Sequence, residues 1–111
     1  MPEGGRNLRI EVADTTSPTI LTLTGEIDIS TSGRVREALI AISNSGEKKV
    51  VVDMTNVTFL DSTGLAALVG PLKRFRSMSG EIVLRSPTQG VQKVLEITGL
   101  TRVFTIESSQ L

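Results

Sequence analysis

The sequence has no cysteine, no histidine, no tryptophan and no tyrosine, and its three aromatic residues are all phenylalanine. Each absence removes a class of chemistry. Without cysteine there is no disulfide and no thiolate zinc site. Without histidine, Ser-His-Asp and Cys-His nucleophiles cannot be assembled, nor can imidazole-held zinc or iron, nor a phosphohistidine relay. An excess of either charge is also missing. Lys plus Arg and Asp plus Glu stand at 12 each, so no basic surplus points to nucleic acid or to an anionic membrane. No apolar run approaches the ~20 residues of a membrane span. Met1 to Asn7 lacks the apolar core of a secretory leader, so a cytoplasmic protein is expected.

What is present is a single domain's worth of chain. Its 111 residues suffice for one compact unit with its own core. Apolar residues make up 39% of the sequence, and with so few aromatics the core must be aliphatic. Carboxylates, Lys, Arg, Ser and Thr are the only groups left for chemistry. That inventory suits a binding or regulatory module rather than an enzyme, and no metal or cofactor site is expected.

Leu8-Arg9-Ile10-Glu11-Val12 alternates strictly and reads as a half-buried strand. After a polar turn, Thr19 to Thr24 reads as a second strand, close enough to the first for an antiparallel hairpin. Gly25-Glu26-Ile27-Asp28 ends it. Ser30, Thr31 and Ser32 offer caps for a helix carrying Val35, Ala38, Leu39 and Ile42 on one face, stopped at Asn44-Ser45-Gly46. Lys49 to Met54 is a β-branched run suited to a central strand covered on both faces, with Asp53 near its end. A second helix is expected from Asp61 or Ser62 to about Ser79, with a kink or a split at Gly70-Pro71. Glu81 to Leu84 is a fourth strand. Ser86-Pro87-Thr88-Gln89 reads as the start of a third helix, with Ser86 at N-cap. Val103 to Ile106 is a fifth strand.

The order β-β-α-β-α-β-α-β predicts one α/β domain over residues 8–107 with a mixed sheet. Right-handed crossovers make the last four strands parallel and leave the hairpin strand at one edge. Residues 1–7 are expected to be flexible and 108–111 to fray.

Working groups in such a sheet gather beyond the carboxyl ends of the parallel strands. Asp28, Asp53 and Asp61 are expected there, with Ser62 among them at a helix N-terminus. Two readings of Ser62 stand at this level. It is a plain N-cap, or it is an alcohol at the positive end of a helix, where a phosphate is well received. Gly64 favours the second, because glycine in a first turn costs up to ~1 kcal/mol and is accepted where something must come close. With Thr63 beside it, the helix start is expected to be small, flat and accessible. A phosphoaspartate receiver centred on Asp53 fits poorly, since no acidic pair follows the first strand and no Lys follows the last.

Three stretches together resemble the STAS domains of the anti-sigma factor antagonist family. They are Gly25-Glu26-Ile27-Asp28, Asp61-Ser62-Thr63-Gly64-Leu65, and Val94 to Leu100 with Phe104. The resemblance covers about Leu8 to Ile106. It implies helices packed on one side of the sheet and a phosphoacceptor at Ser62, directly after Asp61. Asp28, Ser30, Asp61, Thr63, Gly64 and Leu65 are then expected around the phosphosite or against a partner. The implied partners are an anti-sigma factor that is also an ATP-dependent serine kinase, and a phosphatase that reverses the modification. An unphosphorylated scaffold, serving a transporter or a stressosome-like assembly, would use the same fold.

Overall fold

A computed structural model of the chain describes residues 7–15 and 17–108. Of the segments expected to be flexible or frayed, all but Asn7 and Ser108 lie outside the described residues. Five strands and three helices follow one another as β1 (Leu8–Ala13), β2 (Thr19–Ile27), α1 (Ser32–Asn44), β3 (Lys49–Leu60), α2 (Ser62–Ser77), β4 (Glu81–Arg85), α3 (Gln89–Ile97) and β5 (Thr105–Glu107). The sheet runs β1-β2-β3-β4-β5. β1 is antiparallel to β2, and every other neighbouring pair is parallel. This is the α/β mixed sheet that the order of elements predicts, with the hairpin strand at one edge.

Strand alternation sorts the side chains into two faces. Leu21, Leu23, Val50, Val52, Met54, Ile82 and Leu84 join one core with Val35 and Leu39 of α1, Leu68, Leu72 and Phe75 of α2, and Val91 and Leu95 of α3. The three helices therefore cover one side, and β3 is not sandwiched as its apolar run predicts. On the other side Val51 is only 2% exposed although no helix covers it. Its row, Ile20-Val51-Val83, is screened by long neighbours: Lys49 pairs with Glu81 at 3.8 Å, and Arg85 is ion-paired with Glu107. Side chains on the sheet itself do the covering.

Several boundaries move. β3 does not end at Met54 but continues through Thr55 and Asn56 to Leu60, absorbed by register irregularities against β2 near Thr24 and Gly25. Gly25 sits at φ +119, where a Cβ would lie 1.9 Å from the Asn7 carbonyl, so no other residue fits that bulge. α3 is capped by Thr88, which accepts from the Val91 N–H, and not by Ser86, which adopts a left-handed φ of 52. A short 3₁₀ turn, Leu100–Arg102, precedes β5 and carries the chain past the buried Phe104.

α2 passes Pro71 as one uninterrupted helix. The split expected at Gly70-Pro71 does not occur, for two reasons. Gly70 has no Cβ for the proline ring to strike. Pro71 is itself buried on the stripe that holds Leu68, Leu72 and Phe75 in the core. Beyond it Arg74 donates to Ser43 Oγ at 3.0 Å and Arg76 to the Val103 carbonyl at 2.8 Å, fixing the basic C-terminal turns.

Candidate functional site

The N-cap of α2 is Asp61, not Ser62. Its Oδ1 accepts from the Gly64 N–H at 2.9 Å and from Thr63 Oγ1 at 2.6 Å. These two bonds, the Thr63 hydroxyl foremost, hold the Asp61 carboxyl below the ordinary carboxylate range, against the opposing charge of Asp28. Asp61 also donates its N–H to the Ile27 carbonyl at 3.3 Å, which ties the start of α2 to the end of β2.

Asp28 begins the turn between β2 and α1. Its Oδ1 accepts from Ser30 Oγ at 2.7 Å and from the Ser30 N–H at 2.9 Å. The Ser30 hydroxyl is the main reason that this carboxyl too is held below its ordinary value. Thr31 is fully buried, donates its hydroxyl to the Glu26 carbonyl at 2.8 Å and accepts from the Asp28 N–H at 2.9 Å. The turn is thus locked from inside, and two ionised carboxylates stand close enough at one end of the sheet to repel each other.

Relieved of the capping role, Ser62 occupies the first helical position and is exposed. Its hydroxyl makes no hydrogen bond among the described residues. Thr63 is half-buried and its hydroxyl is committed to Asp61. Of the two neighbouring alcohols, Ser62 alone is unengaged.

Gly64 and Leu65 are buried behind this surface rather than on it. A Cβ at Gly64 would lie 2.7 Å from the Ile27 carbonyl oxygen and 2.6 Å from Leu60 Cδ1. Something does come close to this glycine, as its cost in a helix implies, but it is the protein's own β2. The small accessible surface comes instead from Gly33 and Ala66, which with Ser32, Arg36 and Thr63 line a shallow groove between the first turns of α1 and α2.

Two exposed apolar residues outside the predicted set lie next to it in the sequence. Ile29 is 80% exposed and Phe59 49% exposed, each within two residues of Asp28 or Asp61. Ile29 carries a readable signal, an apolar residue between Asp28 and Ser30 with no periodic partner. Asp53 does not belong to the site. It lies inside β3, seven residues before its end, and accepts from the Thr55 N–H and hydroxyl at 3.0 and 2.7 Å. Among the described residues no group of three or more acidic side chains is placed to hold a metal ion, and no helix is long and apolar enough to cross a membrane.

The STAS domain family model matches residues 8–110. An anti-sigma-B factor antagonist of Listeria monocytogenes is 33% identical over 103 residues, which cover 92% of this chain and 90% of the relative. The structure of an anti-sigma factor antagonist from Mycobacterium paratuberculosis superposes with a TM-score of 0.79 at 24% identity, covering 97% of this chain and 92% of that one. The anti-sigma factor antagonist SpoIIAA in its unphosphorylated form gives 0.78 at 18% identity, over 91% and 90% of the two chains. Its phosphorylated form gives 0.71 at 18%, over 91% and 93%. A single sheet lined by helices on one side, a capped helix that leaves one serine free, and a family match over nearly the whole length converge: the chain belongs to the STAS domain family.

Proposed function

We propose that this protein is an anti-sigma factor antagonist that binds an anti-sigma factor when Ser62 is bare and loses that partner when Ser62 is phosphorylated. The observation that carries the reading is the division of labour at the start of α2. Asp61 caps the helix, Thr63 is bound to Asp61, and Ser62 is left as an exposed alcohol. The relative from Listeria monocytogenes supplies the partner class by its name, and SpoIIAA is a protein of the same fold with an unphosphorylated and a phosphorylated form.

The partner is an anti-sigma factor that carries ATP and serves as the serine kinase, with a phosphatase restoring the alcohol. Ile29 and Phe59 are the apolar anchors of the docking face, and the Gly33–Ala66 groove admits a partner's backbone. Phosphoserine adds about −1.5 to −2 charges. The N-terminus of α2 favours that charge by about 0.3–1 kcal/mol, so the helix keeps its shape. A neighbouring carboxylate repels that charge. Asp28 and Asp61 are held ionised by their own hydrogen bonds and so cannot relieve that repulsion by taking up a proton. With acids on the partner and the bulk of a dianion added, a loss of ~3 kcal/mol lowers affinity more than a hundredfold.

The test is incubation with the cognate anti-sigma factor and ATP, followed by intact mass and by binding. A gain of one phosphate that vanishes in Ser62→Ala but persists in Thr63→Ala is expected, with the phosphorylated form released. No gain, or equal binding by both forms, sinks the reading and favours an unphosphorylated scaffold.

A further inference from the structure

We propose that the free edge of β1 is a self-association surface, on which a second copy of this chain adds its own β1 antiparallel about a two-fold axis at Ile10. The backbone sets which groups are available. The Glu26 N–H donates to the Asn7 carbonyl at 2.9 Å, so Asn7 turns its polar groups toward β2. By strand alternation Arg9, Glu11 and Ala13 do the same. Leu8, Ile10 and Val12 therefore turn N–H and C=O outward, and the Leu8 carbonyl accepts from the Arg34 guanidinium there at 2.9 Å. No other described strand flanks this edge, and the outward groups of Ile10 and Val12 have no protein partner among the described residues.

The side chains select the occupant and the register. Natural edges are commonly protected by like charges that repel a second edge. This one carries Arg9 and Glu11, both exposed and both on the face opposite the helices. A two-fold at Ile10 sets Arg9 opposite Glu11 of the second copy, twice by symmetry, at the narrow positions of the ladder where Cα atoms are about 4.5 Å apart. It also sets Val12, 48% exposed, beside Leu8 of the second copy, whose carbonyl has two lone pairs and takes the Val12 N–H alongside the Arg34 guanidinium. Moving the axis by one residue places Arg9 or Glu11 opposite itself. The strand is thus complementary to its own inverse in one register. A six-residue edge is small beside the about 1,200–2,000 Å² of a standard interface, so the dimer is weak.

The experiment is sedimentation velocity of the full chain over a dilution series from micromolar to millimolar, on the wild type, Arg9→Glu, Glu11→Arg and the double exchange. Both positions are exposed, and circular dichroism verifies that each variant is folded. A monomer–dimer equilibrium is expected in the wild type. Each single exchange makes two attractive cross-strand pairs repulsive and raises the dissociation constant about tenfold or more. The double exchange restores it. A wild type that stays monomeric throughout overturns the proposal. So does a dimer indifferent to the single exchanges, or one that the double exchange fails to rescue.

Discussion

At the scale of the residue, the site is decided by which carboxylate or hydroxyl satisfies which backbone group. Asp61 and Ser62 are adjacent, and both are residue types that cap helices well. The side chain that turns back to the Gly64 N–H is Asp61, and that choice frees Ser62. Replacing Asp61 by Ala is expected to lower stability by about 1 kcal/mol, read by urea denaturation. Asp61→Asn keeps a capping oxygen and loses the titration. In the folded protein the Asp61 carboxyl is held below its ordinary value, so its contribution is complete above the unfolded-state pKa and fades as pH falls through the lower folded-state value. Wild-type stability attributable to Asp61 is therefore constant near neutrality and declines below about pH 4. Asp61→Asn should show a shallower decline over that range, measured as urea midpoints at successive pH values, and equal slopes would contradict the assignment.

At the scale of the element, glycines with the same letter do opposite things. Gly64 is the contact through which α2 seats against β2. Alanine there places a methyl 2.7 Å from a backbone oxygen that cannot move aside. The resulting strain of about 1–3 kcal/mol outweighs the ~1 kcal/mol that alanine gains in a helix, so Gly64→Ala should melt at lower temperature. Gly90, in the first turn of α3, is exposed, and a Cβ there would meet no atom within 4 Å. Gly90→Ala should raise stability by about 0.4–1 kcal/mol, read as a higher urea midpoint. This contrast marks how far a sequence can be read. The order of elements, the hairpin edge and the parallel run are legible from alternation, helical spacing and turn residues. Gly64 is legible as a place of close approach, but not which backbone approaches, because that depends on how α2 crosses β2. Asp53 is misplaced by its sequence because Thr55 and Asn56 look like a strand end and are instead carried within the sheet. Ser86 looks like a cap, whereas its backbone turns left-handed and donates its N–H to the Glu107 carbonyl at 2.7 Å.

At the scale of the whole molecule, layers on one side only give the chain two unlike surfaces and two unlike edges. The helix-free face is closed by ion pairs across β3, β4 and β5, and Asp28, Asp61 and Ser62 gather at one end of the sheet. A charge introduced at that end should leave the far side undisturbed. Backbone amide shifts of Ser62→Asp against the wild type are expected to change near the start of α2 and the turn of residues 28–31 only. Changes spread through β4, β5 and α3 would show instead that modification alters the fold. The buried pair behind Ser62 determines where added volume goes. Gly64 is pressed against Ile27 and Leu60 with no slack and Leu65 is buried beside it, so a group attached to that oxygen has no inward path. It stands proud of the surface by its full height, and whatever was seated there must be the thing that moves.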